Sequence, residues 1–315
     1  LLLKEGAKSN NITRIITEIN DMLVRKIIEI AEKEYGKSPL SYCWIAYGSE
    51  GRKEQTFKTD QDNAIVYEDP PEEAAETIRA YFLNFGEKVC NWLDQAGYTF
   101  CNGGAMAKNP QWCQPLSVWK KYFSTWIGTA EPEALMQSSI FFDFRGGYGD
   151  SAIIDKLRQH LFRSLSEHPN FFRYLAETSL ERRPPLGLFR TFVVESKGKH
   201  RDTLDVKHPM VTIVNYTRLY ALKNGIVETN TRERMYQLFL KKRLSWEDYR
   251  DFEQAYSFLM HLRLSRQLTA VIKENAKPDN YINPNKLSRL EQTMLKEVFK
   301  RIETYQEKMV FDFWK

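Results

Sequence analysis

The chain has no apolar run approaching the ~18 residues that a membrane-spanning helix needs, and its start shows no secretory leader pattern. Neither a membrane anchor nor export is expected, and the cytoplasm is the expected location. No segment interleaves Lys/Arg runs with aromatics, so a nucleic-acid stripe is missing. The 46 Lys and Arg exceed the 41 Asp and Glu by only enough for a formal charge of +5. That excess reads as solvated surface; it suits a polyanionic small ligand without arguing for nucleic acid. Cysteine is scarce: Cys43, Cys90, Cys101 and Cys113 show no C-x-x-C spacing and no histidine at zinc-ligand spacing. Four reduced, mostly buried thiols are the expectation. Internal repeats and low-complexity tracts are absent too.

What remains is an ordinary globular composition over 315 residues, enough for one large core or two domains. The first residue is Leu, and the chain is read as a fragment of a longer protein whose upstream regulatory domains it lacks. Residues 1–34 are read as a connector containing an amphipathic helix, with Ile15, Ile16, Ile19, Leu23, Ile27 and Ile30 at three- and four-residue spacing. Strands are expected over 42–47, 62–67, 98–101 and 139–145, and a long helix over 72–95 that Gly97 can cap. Beyond residue 150 the pattern is mainly helical, over 152–166, 170–181, 209–224, 230–241, 246–274 and 288–310. Ser245-x-x-Asp248 and Ser288-x-x-Glu291 resemble capping boxes. Stripes such as Phe258, Leu259, Leu262 and Leu290, Met294, Val298, Ile302 are expected in the core. Leu188 to Glu195 and Thr203 to Lys207 read as a hairpin. The domain boundaries are therefore set at 1–34, 35–150 and 151–315.

The chemistry concentrates between Tyr47 and Asn63. A strand runs into Gly48-Ser49, a polar segment follows, and Asp60-Gln61-Asp62 opens or enters the next strand. Residues two apart on a strand share a face, so both carboxylates can reach one divalent ion. Gly-Ser at a strand end offers backbone N–H groups and a hydroxyl to phosphate oxygens. An isolated Asp-x-Asp is as readily a solvated edge; beside a phosphate-binding turn it points to metal-assisted phosphoryl or nucleotidyl transfer.

Gly48-Ser49 with Asp60-Gln61-Asp62 resembles the signature of the nucleotidyltransferase superfamily of DNA polymerase beta. The longer form, Gly48-Ser49-x-Gly51-Arg52-x-Glu54-Gln55 and then Thr59-Asp60-x-Asp62-Asn63, resembles a narrower group related to the uridylyltransferase of the PII nitrogen-signalling protein. Members of that group often lie downstream of cyclic-nucleotide-binding and CBS domains. The stretch from Gly103 to Pro110 is similar to a recurring segment of the group. Leu204-Asp205-Val206-Lys207 and Asn215-x-x-Arg218-x-Tyr220-Ala221-Leu222 resemble its C-terminal substrate-binding-like domain. No adjacent His-Asp pair is present, so the phosphohydrolase domain of the uridylyltransferase is absent here.

The resemblance implies an α+β fold: a small mixed sheet with helices on one side, followed by a mainly helical domain. It implies Mg²⁺, or Mn²⁺, at Asp60, Asp62 and Asp143, the third carboxylate completing the metal site, and an NTP as substrate. An NMP would pass to a hydroxyl of a protein side chain or a small molecule. Asp143, inside the apolar run Ile140-Phe141-Phe142-Asp143-Phe144, matches the place of the superfamily's third acid, which helps activate the acceptor; a pair with Arg145 is the alternative. Gly48, Ser49 and Arg52 would grip the triphosphate, though Arg52 can equally pair with Glu54 or Glu50. Glu54, Asn63 and Lys108 complete the nucleotide side. Asn63 orients the acidic strand or touches ribose, and Lys108 is alternatively a plain surface residue. Asp205 and Lys207, on one face of the hairpin strand, are expected toward the acceptor or as a local ion pair. A nucleotide-binding regulatory module without turnover is the second reading. A polymerase-like enzyme on nucleic-acid ends is a third, disfavoured by the missing basic stripe.

Overall fold

The computed structural model describes residues 7–180, 183–187 and 189–314. Two compact units divide it: Thr13–Pro169, and Asn170 onward together with the first turn of the leading helix through Ile12. Among the described residues no helix is long and apolar enough to cross a membrane.

The first unit is built on a mixed four-stranded sheet in the order β3-β2-β1-β4. It takes helix α1 (Ser9–Tyr35) from Thr13 on, then β1 (Tyr42–Ala46), the one-turn helix α2 (Gly48–Gly51) and β2 (Asn63–Tyr67). Helix α3 (Ala75–Gln95), β3 (Cys113–Pro115), α4 (Leu116–Thr129), α5 (Pro132–Phe141), β4 (Arg145–Gly149) and α6 (Ser151–Glu167) complete it. β1 pairs antiparallel with β2 and β4, and β3 lies parallel to β2. Both central strands are buried along their whole length, which requires cover on both faces. Tyr42, Trp44, Ile65 and Tyr67 share one cluster with Val24, Ile28 and Ala31 of α1 and Phe82, Phe85, Val89 and Leu93 of α3. The Tyr67 and Phe82 rings stack with centroids 4.4 Å apart. Helices α4 and α6 contact β2 and β1 respectively, and the Trp119 indole donates to the Ile65 carbonyl. Helices thus line both sides of the sheet rather than the single side expected.

Three further expectations are corrected in this unit. Residues 139–145 are not a strand: α5 runs through Phe141 and a turn leads to β4, so Asp143 sits in a turn. A short apolar run does not distinguish a buried strand from a buried helix end, and Phe141, Phe142 and Phe144 are all buried here. Residues 98–101 form no strand, although the Thr99 carbonyl accepts from the Gln61 N–H; the third strand comes later, at Cys113. Helix α1 forms as expected but in this unit buries Val24, Ile27, Ile28 and Ala31, leaving Ile15 and Ile19 at 46% and 55% exposure, with Met22 and Ile30 also exposed. The helix is apolar on two sides, so three- and four-residue spacing alone does not select the inward face.

The second unit comprises α7 (Phe171–Leu180), β5 (Leu204–Asp205), α8 (Lys207–Lys223), α9 (Thr231–Leu240), α10 (Trp246–Ile272), β6 (Tyr281–Ile282) and α11 (Arg289–Phe313). Helix α8 is buried on nearly every side. Phe252 of α10 stacks on Tyr305 of α11 at 3.5 Å. The Ser288 and Glu291 capping box is complete, and the Ser245 hydroxyl accepts from the Asp248 N–H. The expected hairpin does not form. Glu195 exchanges backbone bonds with Asp202 and Thr203, but β5 pairs with β6 instead; Leu188 lies outside the described residues. Leu290 and Met294 are exposed rather than core.

Candidate functional site

β1 delivers the chain into a tight turn whose glycines are set by contact. The Tyr47 N–H donates to the Asp62 carbonyl at 3.1 Å, which brings Gly48 against the Asp62 side chain. Gly48 has φ +58, and a Cβ there would stand 2.8 Å from Asp62 Oδ2. The next three residues close helix α2, with Gly51 N–H on Tyr47 O at 2.9 Å and Arg52 N–H on Gly48 O at 3.1 Å. A Cβ on Gly51 would lie 1.8 Å from the Asp143 carbonyl oxygen. The turn is therefore pressed directly onto the backbone of Asp143.

Asp143 is fully buried, and a lone carboxylate there would be costly. Arg52 meets it: Nη1 donates to Asp143 Oδ2 at 2.8 Å, and Nε donates to Glu54 Oε2 at 2.9 Å. The anticipated partner, Arg145, turns elsewhere. Its Nη2 donates to Asp21 Oδ1 at 2.6 Å and its Nε to the Glu50 carbonyl at 3.0 Å, tying α1 to α2. Glu50 itself is buried, and the Tyr98 hydroxyl is bonded to its Oε2 at 2.6 Å. Burial pushes its carboxyl up to about 8, with the charges of Asp62 and Asp21 adding to the rise; the Tyr98 hydrogen bond and Arg145 act against it.

The acidic pair precedes β2 rather than lying in it, yet the alternation survives because Gln61 is anchored. Its side chain is fully buried and Nε2 donates to the Cys90 and Tyr98 carbonyls at 3.0 and 2.7 Å. With Gln61 held inward, Asp60 and Asp62 face outward together, Asp60 exposed and Asp62 half-buried. Cys101 joins them. One ligand atom from each of Asp60, Asp62 and Cys101 lies within 4.8 Å of the other two. Asp143 is not a member of this cluster. Of the four thiols, Cys101 alone is not buried; burial, and then the charges of Asp62 and Asp60, push it up.

Asn63 explains how Cys101 arrives there. It is buried, and its Oδ1 accepts from the Ala107 N–H at 2.9 Å. The Asn63 N–H donates to the Ala105 carbonyl, and the Tyr47 hydroxyl bonds both the Asn63 and Ala105 carbonyls. A Cβ on Gly86 of α3 would lie 2.6 Å from the Ala107 oxygen, so the loop from Cys101 to Asn109 also rests on that helix. Within the loop, Lys108 Nζ lies 4.1 Å from the centre of the Phe100 ring and 3.4 Å from Asn91 Oδ1. Asp205 and Lys207 belong to the second unit. They do not share a strand face: Lys207 begins α8, and Asp205 Oδ1 accepts from the Lys207 N–H at 2.8 Å.

The sequence reading missed Cys101, Glu50, Gln61 and Tyr98. No spacing rule points to Cys101, since it approaches from about forty residues downstream through backbone bonds. Chemically, two carboxylates and a thiol at an accessible edge make a donor set for a divalent cation. The adjoining turn holds the half-buried Ser49, whose hydroxyl and the backbone N–H groups opening α2 are of the kind that bind an oxyanion.

Two family descriptions match the chain. "Putative nucleotidyltransferase DUF294" covers residues 1–133, and "Putative nucleotidyltransferase substrate binding domain" covers residues 169–313. The first spans Gly48, Ser49, Asp60, Asp62 and Cys101; Asp143 falls between the two. No curated protein matches the chain.

Proposed function

The chain belongs to the nucleotidyltransferase family that those two matches describe, and from that premise we propose that it moves an NMP from an NTP to an acceptor hydroxyl. In this reading the acceptor hydroxyl gives its proton to solvent, its oxygen bonds the α-phosphorus, the bond from that phosphorus to the bridging oxygen breaks, and pyrophosphate leaves. The observation that carries it is the juxtaposition of Asp60 and Asp62 with the Gly48-Ser49 turn, enforced by the Tyr47–Asp62 backbone bond. Asp60 and Asp62 would hold a divalent ion, Mg²⁺ or Mn²⁺. When bound, the ion supplies positive charge to the triphosphate and orients its oxygens.

The remaining roles fall to the protein's own groups. Ser49 and the backbone at the start of α2 receive triphosphate oxygens, with Lys108 as a cation beside them. Arg52 and Glu54 hold the turn, Asn63 holds the Cys101–Asn109 loop, and Asp143 acts through Arg52. Asp205 and Lys207 stay candidates for the acceptor, a protein side chain or a small molecule.

One observation favours a second reading, a nucleotide-binding regulatory module without turnover: Asp143 is paired with Arg52 outside the cation cluster. Incubating the protein with each labelled NTP, Mg²⁺ or Mn²⁺ and a cell extract decides between them. Transfer to an acceptor with pyrophosphate release, lost in Asp62→Asn at unchanged fold, supports the enzyme. Metal-dependent NTP binding with no release supports the module. Turnover unaffected by Asp62→Asn sinks the site assignment.

A further inference from the structure

We propose that Cys101 is the third ligand of the cation held by Asp60 and Asp62, and that its sulfur tilts the site away from Mg²⁺ toward Mn²⁺ and softer divalent ions. The inference rests on the metal-binding role proposed above for the acidic pair and names what completes it. Ligands on opposite sides of an ion, with bonds of about 2.0–2.4 Å, stand about 4–5 Å apart. The three ligand atoms, within 4.8 Å of one another, can therefore close on one ion with small side-chain rotations.

The other carboxylates near the turn are engaged elsewhere. Asp143 meets Arg52 at 2.8 Å, Glu50 meets Tyr98 at 2.6 Å and Glu54 meets Arg52 at 2.9 Å. Cys101, in contrast, is presented to the pair by a fixed backbone. Its N–H donates to Met106 Sδ at 3.4 Å and its carbonyl accepts from Gly104 at 3.1 Å. The loop beyond it is bonded to Asn63, one residue past Asp62. The segment that runs beside the acidic pair, with Thr99 opposite Gln61, thus places a sulfur where a third oxygen would otherwise stand.

Donor chemistry then sets the preference. Mg²⁺ demands near-octahedral oxygen ligation and dehydrates reluctantly. A thiolate contributes little to it, whereas Mn²⁺, Co²⁺, Zn²⁺ and Cd²⁺ tolerate or favour mixed oxygen–sulfur sets. Cys101→Asp should therefore restore Mg²⁺ affinity relative to Co²⁺ without a change of fold.

Titration of the metal-free, reduced full chain with Co²⁺ alone tests this by absorption. The wild type should develop a near-ultraviolet sulfur-to-cobalt charge-transfer band, and Cys101→Ser should lose it while binding Co²⁺ at least tenfold more weakly. Cys43, Cys90 and Cys113 are buried and serve as internal controls. Co²⁺ binding to the wild type without that band, or a band that persists in Cys101→Ser, overturns the role of Cys101 and leaves the acidic pair standing. Co²⁺ binding unchanged in Asp62→Asn, or absent from the wild type, overturns the underlying metal site as well. A Cys101→Asp variant with the wild-type Co²⁺ to Mg²⁺ preference refutes the claim about selectivity.

Discussion

Replacing Glu50 by glutamine should flatten the pH dependence of stability by an amount the structure sets. Glu50 is only 2% exposed, and burial moves its carboxyl from an ordinary 4.5 up to about 8. The folded chain therefore binds this proton more tightly than the unfolded chain does. Its contribution is fully present below about pH 4.5, where both states are protonated, and drains away as pH rises to about 8. Across that window the slope is at most about 1.4 kcal/mol per pH unit, so the whole effect is on the order of a few kcal/mol. Glutamine keeps the shape and can still bond Tyr98, but has no proton to lose. Urea unfolding of both proteins at several pH values between about 5 and 8, in chelator, gives the comparison. Subtracting one curve from the other cancels every titration that does not sense the charge of Glu50. The wild type should lose ground to Glu50→Gln steadily as pH rises. Two parallel curves would mean that Glu50 is ionised in the fold at neutral pH, and the account of its burial would fall.

Gly51→Ala should cost at least about 1–3 kcal/mol, because its Cβ would meet two backbone oxygens, at 1.8 and 2.9 Å, that cannot rotate aside. Gly97→Ala, at φ +91 in open space, should cost about 1 kcal/mol; thermal melts that rank the two the other way contradict the packing of α2 on Asp143. Asp143→Asn should lose about 1–3 kcal/mol through its bond to Arg52 and leave Co²⁺ binding intact. Weakened Co²⁺ binding at unchanged melting temperature would instead place Asp143 among the metal ligands.

The proximity of the acidic pair was legible because residue identity and spacing sufficed: Asp62 stands against Gly48 and Asp60 lies beside Asp62, whereas Asp143 is not in their cluster. The helices of the second unit were legible through their caps, which are local hydrogen bonds written in neighbouring residues, as at Ser288 and Glu291. What stayed hidden depends on distant partners. β5 pairs with Tyr281–Ile282, and nothing in the pattern of 188–207 encodes that choice. Cys101 reaches the acidic pair through the bonds of Gln61 and Asn63, whose burial no periodicity announces. The run at 139–145 failed for another reason: buried helix ends and buried strands are equally apolar, and length alone did not separate them.

The interlocking of the turn has a consequence for how related chains can drift. Gly48 clears the Asp62 side chain, Gly51 clears the Asp143 backbone, Gln61 spans two carbonyls, Asn63 ties down a loop, and Arg52 neutralises a buried acid. Each is held by a packing or hydrogen-bond partner inside the fold, whether or not anything is ever transferred. A copy that had ceased to turn over substrate would keep nearly the whole motif out of structural necessity. Asp60 is different: it is exposed, and no hydrogen bond or ion pair to another described residue retains it. If Asp60 holds the cation as proposed, its fate among descendants of this fold, rather than the presence of the motif, would track the chemistry.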